Sequence, residues 1–385
     1  MWNNTNVTDQ FDSILSSFFW SKDNEKRSSE VIIKEWNVVF YELDWDFQRQ
    51  EIWWEITEDN INEFQYYIVM NKLDEDEDMV NTFVAKFKKA WHYNYSYIFD
   101  WIPLRINWSM WRGKSFMRIR RLPSKMPTPD DLNIPHIVRD EISKYKNWWL
   151  VVVSAPPGSW KSTTIASVLQ ELFDSKVVNA ITLEDPLEYI YKEDSLSIVE
   201  QRERWLDFDE YSTWIEACMR QTPDIVVVQE MTTQDIVKDV MYLVEKWVLV
   251  ITTLHTWDVP SIFESILSAY WPEWKQEILN KLAMHFKCCI SQRLIKKKDW
   301  GWKLAIFEVL TNTNEVRWYI KWDNVKNLHQ LMVRKPHLLF SDDIISKLEK
   351  EEISILDWFE SCPFSRLKDL EDKVWVTYKE IRDSL

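Results

Sequence analysis

Leu150-Val-Val-Val-Ser-Ala-Pro-Pro-Gly-Ser-Trp-Lys-Ser-Thr-Thr-Ile165 decides the fold. The β-branched run Leu150 to Val153 predicts a buried strand, Pro156, Pro157 and Gly158 predict a turn, and Ile165, Val168, Leu169 and Leu172 form the apolar stripe of a helix. Strand, loop and helix in that order make a phosphate loop. Its backbone N–H groups and helix N-terminus face an anion, Lys161 can reach β- and γ-phosphates, and the Ser162 hydroxyl can ligate Mg²⁺. Ala155 and Trp160 stand where G-x-x-x-x-G-K-[ST] asks for glycine. Trp160 is the serious departure, because an indole fills the space into which glycine lets the backbone approach a phosphate.

Composition accounts for that departure. The chain has 3 Gly and 25 Trp in 385 residues, whereas ordinary usage puts Gly near about 7%. Many of the Trp sit in turn-like surroundings: Asp44-Trp45-Asp46, Asp100-Trp101, Asn107-Trp108, Asn147-Trp148-Trp149, Asp299-Trp300-Gly301-Trp302 and Lys321-Trp322-Asp323. A gene that decodes UGA as Gly, translated with a table in which UGA means Trp, gives this pattern. A truly Trp-rich chain would instead place indoles at left-handed positions that are sterically unfavourable. Most of these Trp are therefore expected to stand for Gly, with Trp160, Trp247 and Trp257 among them; UGG codons at those three would exclude it.

The length suits two domains, each able to bury a core. No apolar run approaches the roughly 18 residues of a membrane span, and the N-terminus lacks the basic and apolar regions of a signal peptide, so a cytoplasmic protein without membrane insertion is expected. Cys218, Cys288, Cys289 and Cys362 form no C-x-x-C pair and have no His at zinc spacing, which predicts reduced, buried thiols. A net charge of −15 argues against a motor that tracks nucleic acid, since phosphate neutralisation needs clustered cations.

In chain order, residues 1–30 form a polar segment with one apolar helical cluster, Phe11, Ile14, Leu15, Phe18 and Phe19. Residues 31–122 read as a small α/β domain with a largely antiparallel sheet, including a helix started by Thr57. Residues 123–130 are a proline-rich linker, and Thr128-Pro-Asp-Asp131 starts the next helix. Residues 131–385 alternate strands (Leu150 to Val153, Val177 to Leu183, Ile225 to Val228, Val248 to Thr253) with helices, which implies a parallel sheet with its ligand at the strand C-termini. From Pro272 onward the pattern predicts helices, apart from Lys303 to Leu310, ending with Asp342 to Lys350, Ser354 to Phe359 and Tyr378 to Leu385.

Each strand of that domain ends in polar groups that a nucleotide triphosphatase needs: Glu184-Asp185-Pro-Leu-Glu188, Gln229-Glu230-Met231 and Leu254-His255-Thr256. An acid after a buried strand can hold Mg²⁺ or its water, and a second can orient or deprotonate an attacking water. His255 can sense a γ-phosphate through a hydrogen bond. Singly, each acid could be a helix cap and the His a structural residue; their order after one phosphate loop favours the functional reading.

Four stretches resemble a known family. Ile181-Thr-Leu-Glu-Asp-Pro-Leu-Glu-Tyr189, Met219-Arg-Gln-Thr-Pro-Asp-Ile-Val-Val-Val-Gln-Glu-Met231, Thr253-Leu-His-Thr256 and Ile290-Ser-Gln-Arg-Leu294 resemble the acidic box, Walker B, histidine box and later signature of secretion ATPases. Within these the closest likeness is to PilT-type retraction motors of type IV pili. The likeness spans roughly residues 35 to 335 and extends to Leu122-Pro-Ser-Lys-Met-Pro-Thr and Val316-Arg-Trp-Tyr-Ile-Lys-Trp-Asp.

The resemblance implies an N-terminal PAS-like α/β domain followed by a RecA-like P-loop ATPase domain with a helical C-terminal region. It implies ATP and Mg²⁺ as ligands. Pro157, Gly158, Ser159, Trp160, Lys161, Ser162 and Thr163 would bind phosphates, Ser162 and Glu230 the metal, and Glu188 the attacking water. Glu184 and Asp185 would support that site, His255 would report phosphate state, and Arg202 and Arg220 would act between subunits. The implied assembly is a cytoplasmic homo-hexamer at the inner face of the cell membrane, acting on an inner-membrane pilus platform protein and, where present, partnered by a paralogous ATPase. A pilus extension or type II secretion ATPase is the alternative, and a weakly active nucleotide-binding subunit is an alternative of another class. Ala155, Gln229, Thr232 and Val248 depart from the family pattern and bear on turnover rate.

Overall fold

Alternating and continuous apolar runs build two different sheets. The computed structural model describes residues 5–19, 30–34, 36–43, 46–72, 77–90, 92–99, 102–123, 125–144, 149–204, 206–231, 233–268, 273–298 and 303–354. By contacts the chain divides into two units, one of Met1–Lys125 with Glu184–Ile190 and Arg202–Asp209, the other of Met126–Leu183, Tyr191–Gln201 and Glu210–Leu385.

The first unit contains α1 (Thr5–Phe19), β1 (Glu30–Lys34), β2 (Trp36–Leu43), β3 (Asp46–Ile56), α2 (Glu58–Lys72), α3 (Glu77–Ala90), β4 (His92–Phe99), β5 (Ile102–Trp111) and β6 (Lys114–Arg121). Its strands form a six-stranded sheet in the order β3-β2-β1-β6-β5-β4, with every neighbouring pair antiparallel. β6 shows why one face is core: Ser115, Met117 and Ile119 point inward while Arg118 and Arg120 point outward, as a period of two requires. The apolar face of α1 joins this core, with Phe11 stacked on Phe64 of α2 at 4.2 Å between ring centroids. Thr57 caps α2 as expected, its hydroxyl accepting the Asn60 N–H at 3.2 Å.

Asn107-Trp108 is not the turn suggested by the sequence. Trp108 lies inside β5, paired with Tyr93 and Met117 and buried, because the strand runs four residues past Asn107 before turning at Arg112 and Gly113.

The second unit contains α4 (His136–Ser143), β7 (Leu150–Ser154), α5 (Lys161–Ser175), β8 (Asn179–Glu184), β9 (Ile198–Glu203), α6 (Tyr211–Cys218), β10 (Ile225–Val228), α7 (Gln234–Glu245), β11 (Leu249–Leu254), α8 (Val259–Ser268), α9 (Lys275–His285), β12 (Phe286–Lys296), β13 (Lys303–Thr311), α10 (Asn314–Lys321), α11 (His329–Met332) and α12 (Phe340–Glu349); the last residues of β8 and β9 cluster with the first unit. The sheet order is β13-β12-β7-β11-β10-β8-β9, and β12, β7, β11, β10 and β8 run parallel. β7, β10 and β11 are buried along their whole length, which is why they read as unbroken Val, Ile and Leu runs. Cys218, Cys288 and Cys289 are buried, and burial pushes the last two thiols up.

Two expectations are corrected here. β12 occupies a stretch expected to be helical; its interior carries Lys287, Ser291 and Gln292, all buried, and these polar residues hide a core strand from a hydrophobicity reading. The Thr128 start signal forms as drawn, with Thr128 Oγ1 accepting from Asp131 N at 3.2 Å, but makes only a turn. Asn133 has φ 50° and Pro135 follows, so α4 begins at His136. The expected helices Ser354 to Phe359 and Tyr378 to Leu385, with Cys362, Thr232 and the turns at Trp45, Trp101, Trp148 and Trp300 to Trp302, lie in whole or in part outside the described residues.

Candidate functional site

The centre of the second sheet delivers its polar ends to one place. β7 runs into Ala155-Pro-Pro-Gly-Ser-Trp160 and then α5, whose first residues have backbone N–H groups with no partner inside the helix. The residue before α5, Trp160, has φ 60° and ψ 28° and gives no side-chain cap, so an anion is the natural cap for this N-terminus. Gly158 has φ 72° and Trp160 a backbone that suits Gly far better than Trp. Ala155 has no positive φ, so its Cβ is accommodated without strain.

Lys161 is buried, and its ammonium donates to Ala155 O at 2.9 Å and to His255 Nδ1 at 3.0 Å. A Lys ammonium only donates, so Nδ1 is the acceptor and the imidazole proton sits on Nε2. His255 Nε2 then donates to Glu230 Oε1 at 2.6 Å. Lys161, His255 and Glu230, called from three separate motifs, thus form one hydrogen-bonded chain across β7, β11 and β10.

Hydroxyl and backbone hydrogen bonds hold the three strand ends in register. Thr256 N donates to Ser154 Oγ at 3.1 Å and Ser154 Oγ to Thr256 O at 3.0 Å, tying the His255 loop to the base of the phosphate loop. Met231 N donates to Thr253 O at 3.0 Å and Thr253 Oγ1 to Gln229 O, tying the Glu230 loop to β11. Ser162 and Thr163 lie half-buried in the first turn of α5, and Arg220 is exposed in the short turn before β10.

The remaining candidates belong to the first unit and have their own partners there. Glu188 pairs with Arg105 Nη1 at 3.1 Å, and Asp185 with Arg204 Nη1 at 3.2 Å. Glu184 closes β8 and Arg202 lies on β9, whose next residue, the buried Glu203, accepts from both Ser96 N and Ser96 Oγ at 2.6 Å. Arg105, Arg204 and Ser154 escape a motif reading because a partner's role appears only once the chain has folded.

The family model described as type II/IV secretion system protein matches residues 138–340. The chain belongs to that family. This family member is 31% identical over 210 residues to the type IV pilus retraction ATPase PilT of Pseudomonas aeruginosa, covering 54% of this chain and 60% of that protein. It is 30% identical over 212 residues to the uncharacterised protein YggR of Escherichia coli, covering 53% of this chain and 64% of that one. It thus spans about three fifths of the length of these relatives. The crystal structure of the pilus retraction motor PilT with bound ADP superposes with a TM-score of 0.75 at 24% identity, over 90% of this chain and 95% of that one. The fold is that of a secretion ATPase, with an N-terminal α/β domain and a RecA-like domain.

The donors present suit a magnesium nucleotide. Lys161 and the uncapped α5 N-terminus supply positive potential for phosphate oxygens, while the Ser162 hydroxyl and Glu230 carboxylate are hard oxygen donors of the kind Mg²⁺ prefers. The one misfit is the side chain at 160.

Proposed function

We propose that this chain is the ATP-hydrolysing subunit of a homo-hexameric motor that retracts a type IV pilus. The observation that carries the reading is the Lys161–His255–Glu230 chain beside an uncapped helix N-terminus. The likeness to PilT supports the pilus assignment. In this reading Pro157, Gly158, Ser159, residue 160, Lys161, Ser162 and Thr163 hold the phosphates, and Ser162 and Glu230 hold Mg²⁺. Bound Mg-ATP supplies the phosphoanhydride whose hydrolysis drives movement. Lys161 exchanges its bonds to Ala155 O and His255 Nδ1 for phosphate oxygens, and His255, released on that side and still bound to Glu230, reports the exchange to the Glu230 loop.

Glu188 poises the attacking water with support from Glu184 and Asp185, and Arg202 and Arg220 serve a neighbouring subunit, where such a cation can be worth about 10³ or more in rate. The partner is an inner-membrane platform protein, the location the cytoplasmic face of the cell membrane, and a paralogous ATPase can share the ring. The working residue at 160 is Gly, which the left-handed backbone there supports. Steady-state ATPase of the chain carrying Gly at 160, alone and mixed with a paralogue, tests the enzyme. Deleting the gene tests the direction: piliated, non-motile cells support retraction, and cells without pili support the extension alternative.

A further inference from the structure

Gln292 has no role in the site described so far, yet its side chain is fully buried against the phosphate loop. It follows Ser291, which pairs with Ser154 at the last residue of β7, so its amide lies directly beneath the loop that leaves that strand. Gln292 Nε2 donates to Ser159 O at 2.6 Å, and Gln292 Oε1 accepts from Thr164 Oγ1 at 2.7 Å. One planar amide therefore bridges the second half of the loop to the first turn of α5. Among side chains of this size only Gln offers a donor and an acceptor together; a Glu carboxylate lacks the donor and Met lacks both.

The bond to Ser159 has a directional consequence. The 159–160 peptide is not one of the chain's cis bonds, and in a trans peptide the C=O and the following N–H point in opposite directions. Holding the Ser159 carbonyl toward the core turns the N–H of residue 160 outward, to the side on which an anion caps α5. We infer that Gln292 is a positioning residue that sets the phosphate-binding orientation of the loop before any nucleotide arrives. The inference rests on the nucleotide-site reading above. A loop already oriented loses less conformational freedom on binding, so the gain appears as affinity for nucleotides that carry a β-phosphate.

The test is nucleotide titration of the full chain carrying Gly at 160, with and without Q292M, Q292E or T164V, using ATP, ADP and AMP. Q292M and Q292E should each weaken ADP and ATP by about tenfold or more, as expected for one lost oriented hydrogen bond to a buried group, and leave AMP within about twofold. T164V keeps the Ser159 bond and should weaken ADP by less than about threefold. A general loss of packing would lower melting temperature and AMP affinity together, and that result, or unchanged ADP affinity in Q292M, overturns the inference. If Q292M does not fold, Q292E and T164V decide by the same ordering. Failure of the parent chain to bind ATP would refute the nucleotide site itself, a separate outcome.

Discussion

Two tryptophans share a left-handed backbone in different regions of the second unit, φ 60° at Trp160 and φ 76° at Trp247. Trp160 precedes α5 in the phosphate loop and is half-buried. Trp247 follows Lys246, the cap of α7, and is 73% exposed; that is the position after a helix C-cap where Gly is the usual residue. Each pays a similar local cost for an L-residue in this region, roughly 1–2 kcal/mol. In the proposed nucleotide site, only residue 160 lies in the loop that would hold the phosphates. On that proposal, exchanging Trp and Gly bears on stability at 247 and on nucleotide binding at 160. Trp257 and Trp322 have no positive φ, and beside Trp322 it is Asp323 that adopts the left-handed backbone, at φ 55°.

Residue 160 bears on function only if its loop serves a catalytic centre, and the largest expected effect tests this. In the chain carrying Gly at 160, Glu230→Gln should keep ATP binding and lower kcat by about 10²-fold or more, since the amide keeps the shape and loses the charge that organises Mg²⁺ and water. An unchanged kcat would remove Glu230 from the chemistry.

Next in size is Trp160→Gly itself, which should raise ATP affinity by about 10²-fold as the indole leaves the cradle. Equal binding by the two chains, measured by calorimetry, would show Trp160 to be harmless and would dissolve the contrast with Trp247. Lys161→Ala should cost about tenfold to a hundredfold in ATP affinity, because it removes the cation closest to the phosphates and leaves His255 Nδ1 without its donor. ATP affinity equal to that of the Lys161 chain would place the phosphates elsewhere. The smallest effect is expected at the other tryptophan. Trp247→Gly should stabilise the fold by about 1 kcal/mol in urea unfolding and leave ATP affinity unchanged. A change in affinity comparable to that of Trp160→Gly would break the distinction between the two regions.

How much of this was legible depends on where each signal resides. Lys161, Glu230 and His255 each follow an apolar strand, and a parallel sheet sends the C-termini of its strands to one edge, so the alternation of strands and helices predicts that they lie on one side. Gln292 sits in a quoted motif and still carried no visible role, because its two partners are a backbone carbonyl and a threonine hydroxyl more than a hundred residues away. β12 does not read as a strand because the buried polar residues Lys287, Ser291 and Gln292 interrupt its apolar run, and what accommodates them is packing that consecutive residues do not reveal. The capping signal at Thr128 formed its hydrogen bonds without a helix, since Asn133 and Pro135 stop the turn first.

By itself the amino-acid sequence determined the α/β class, the strand–loop–helix order around Lys161 and the identity of the charged groups near it, because apolar periodicity and loop chemistry are local properties of consecutive residues. It also exposed the anomaly in Trp and Gly usage, which is a count. Tertiary structure alone decided which nitrogen of His255 carries its proton, since that follows from Lys161 on one side and Glu230 on the other. It also decided that the segments Glu184–Ile190 and Arg202–Asp209 cluster with the first unit, where Arg105 meets Glu188 and Ser96 meets Glu203. Those pairings are between residues distant in the chain, and hydrogen bonds and ion pairs act over a few ångströms of space whatever the separation in sequence.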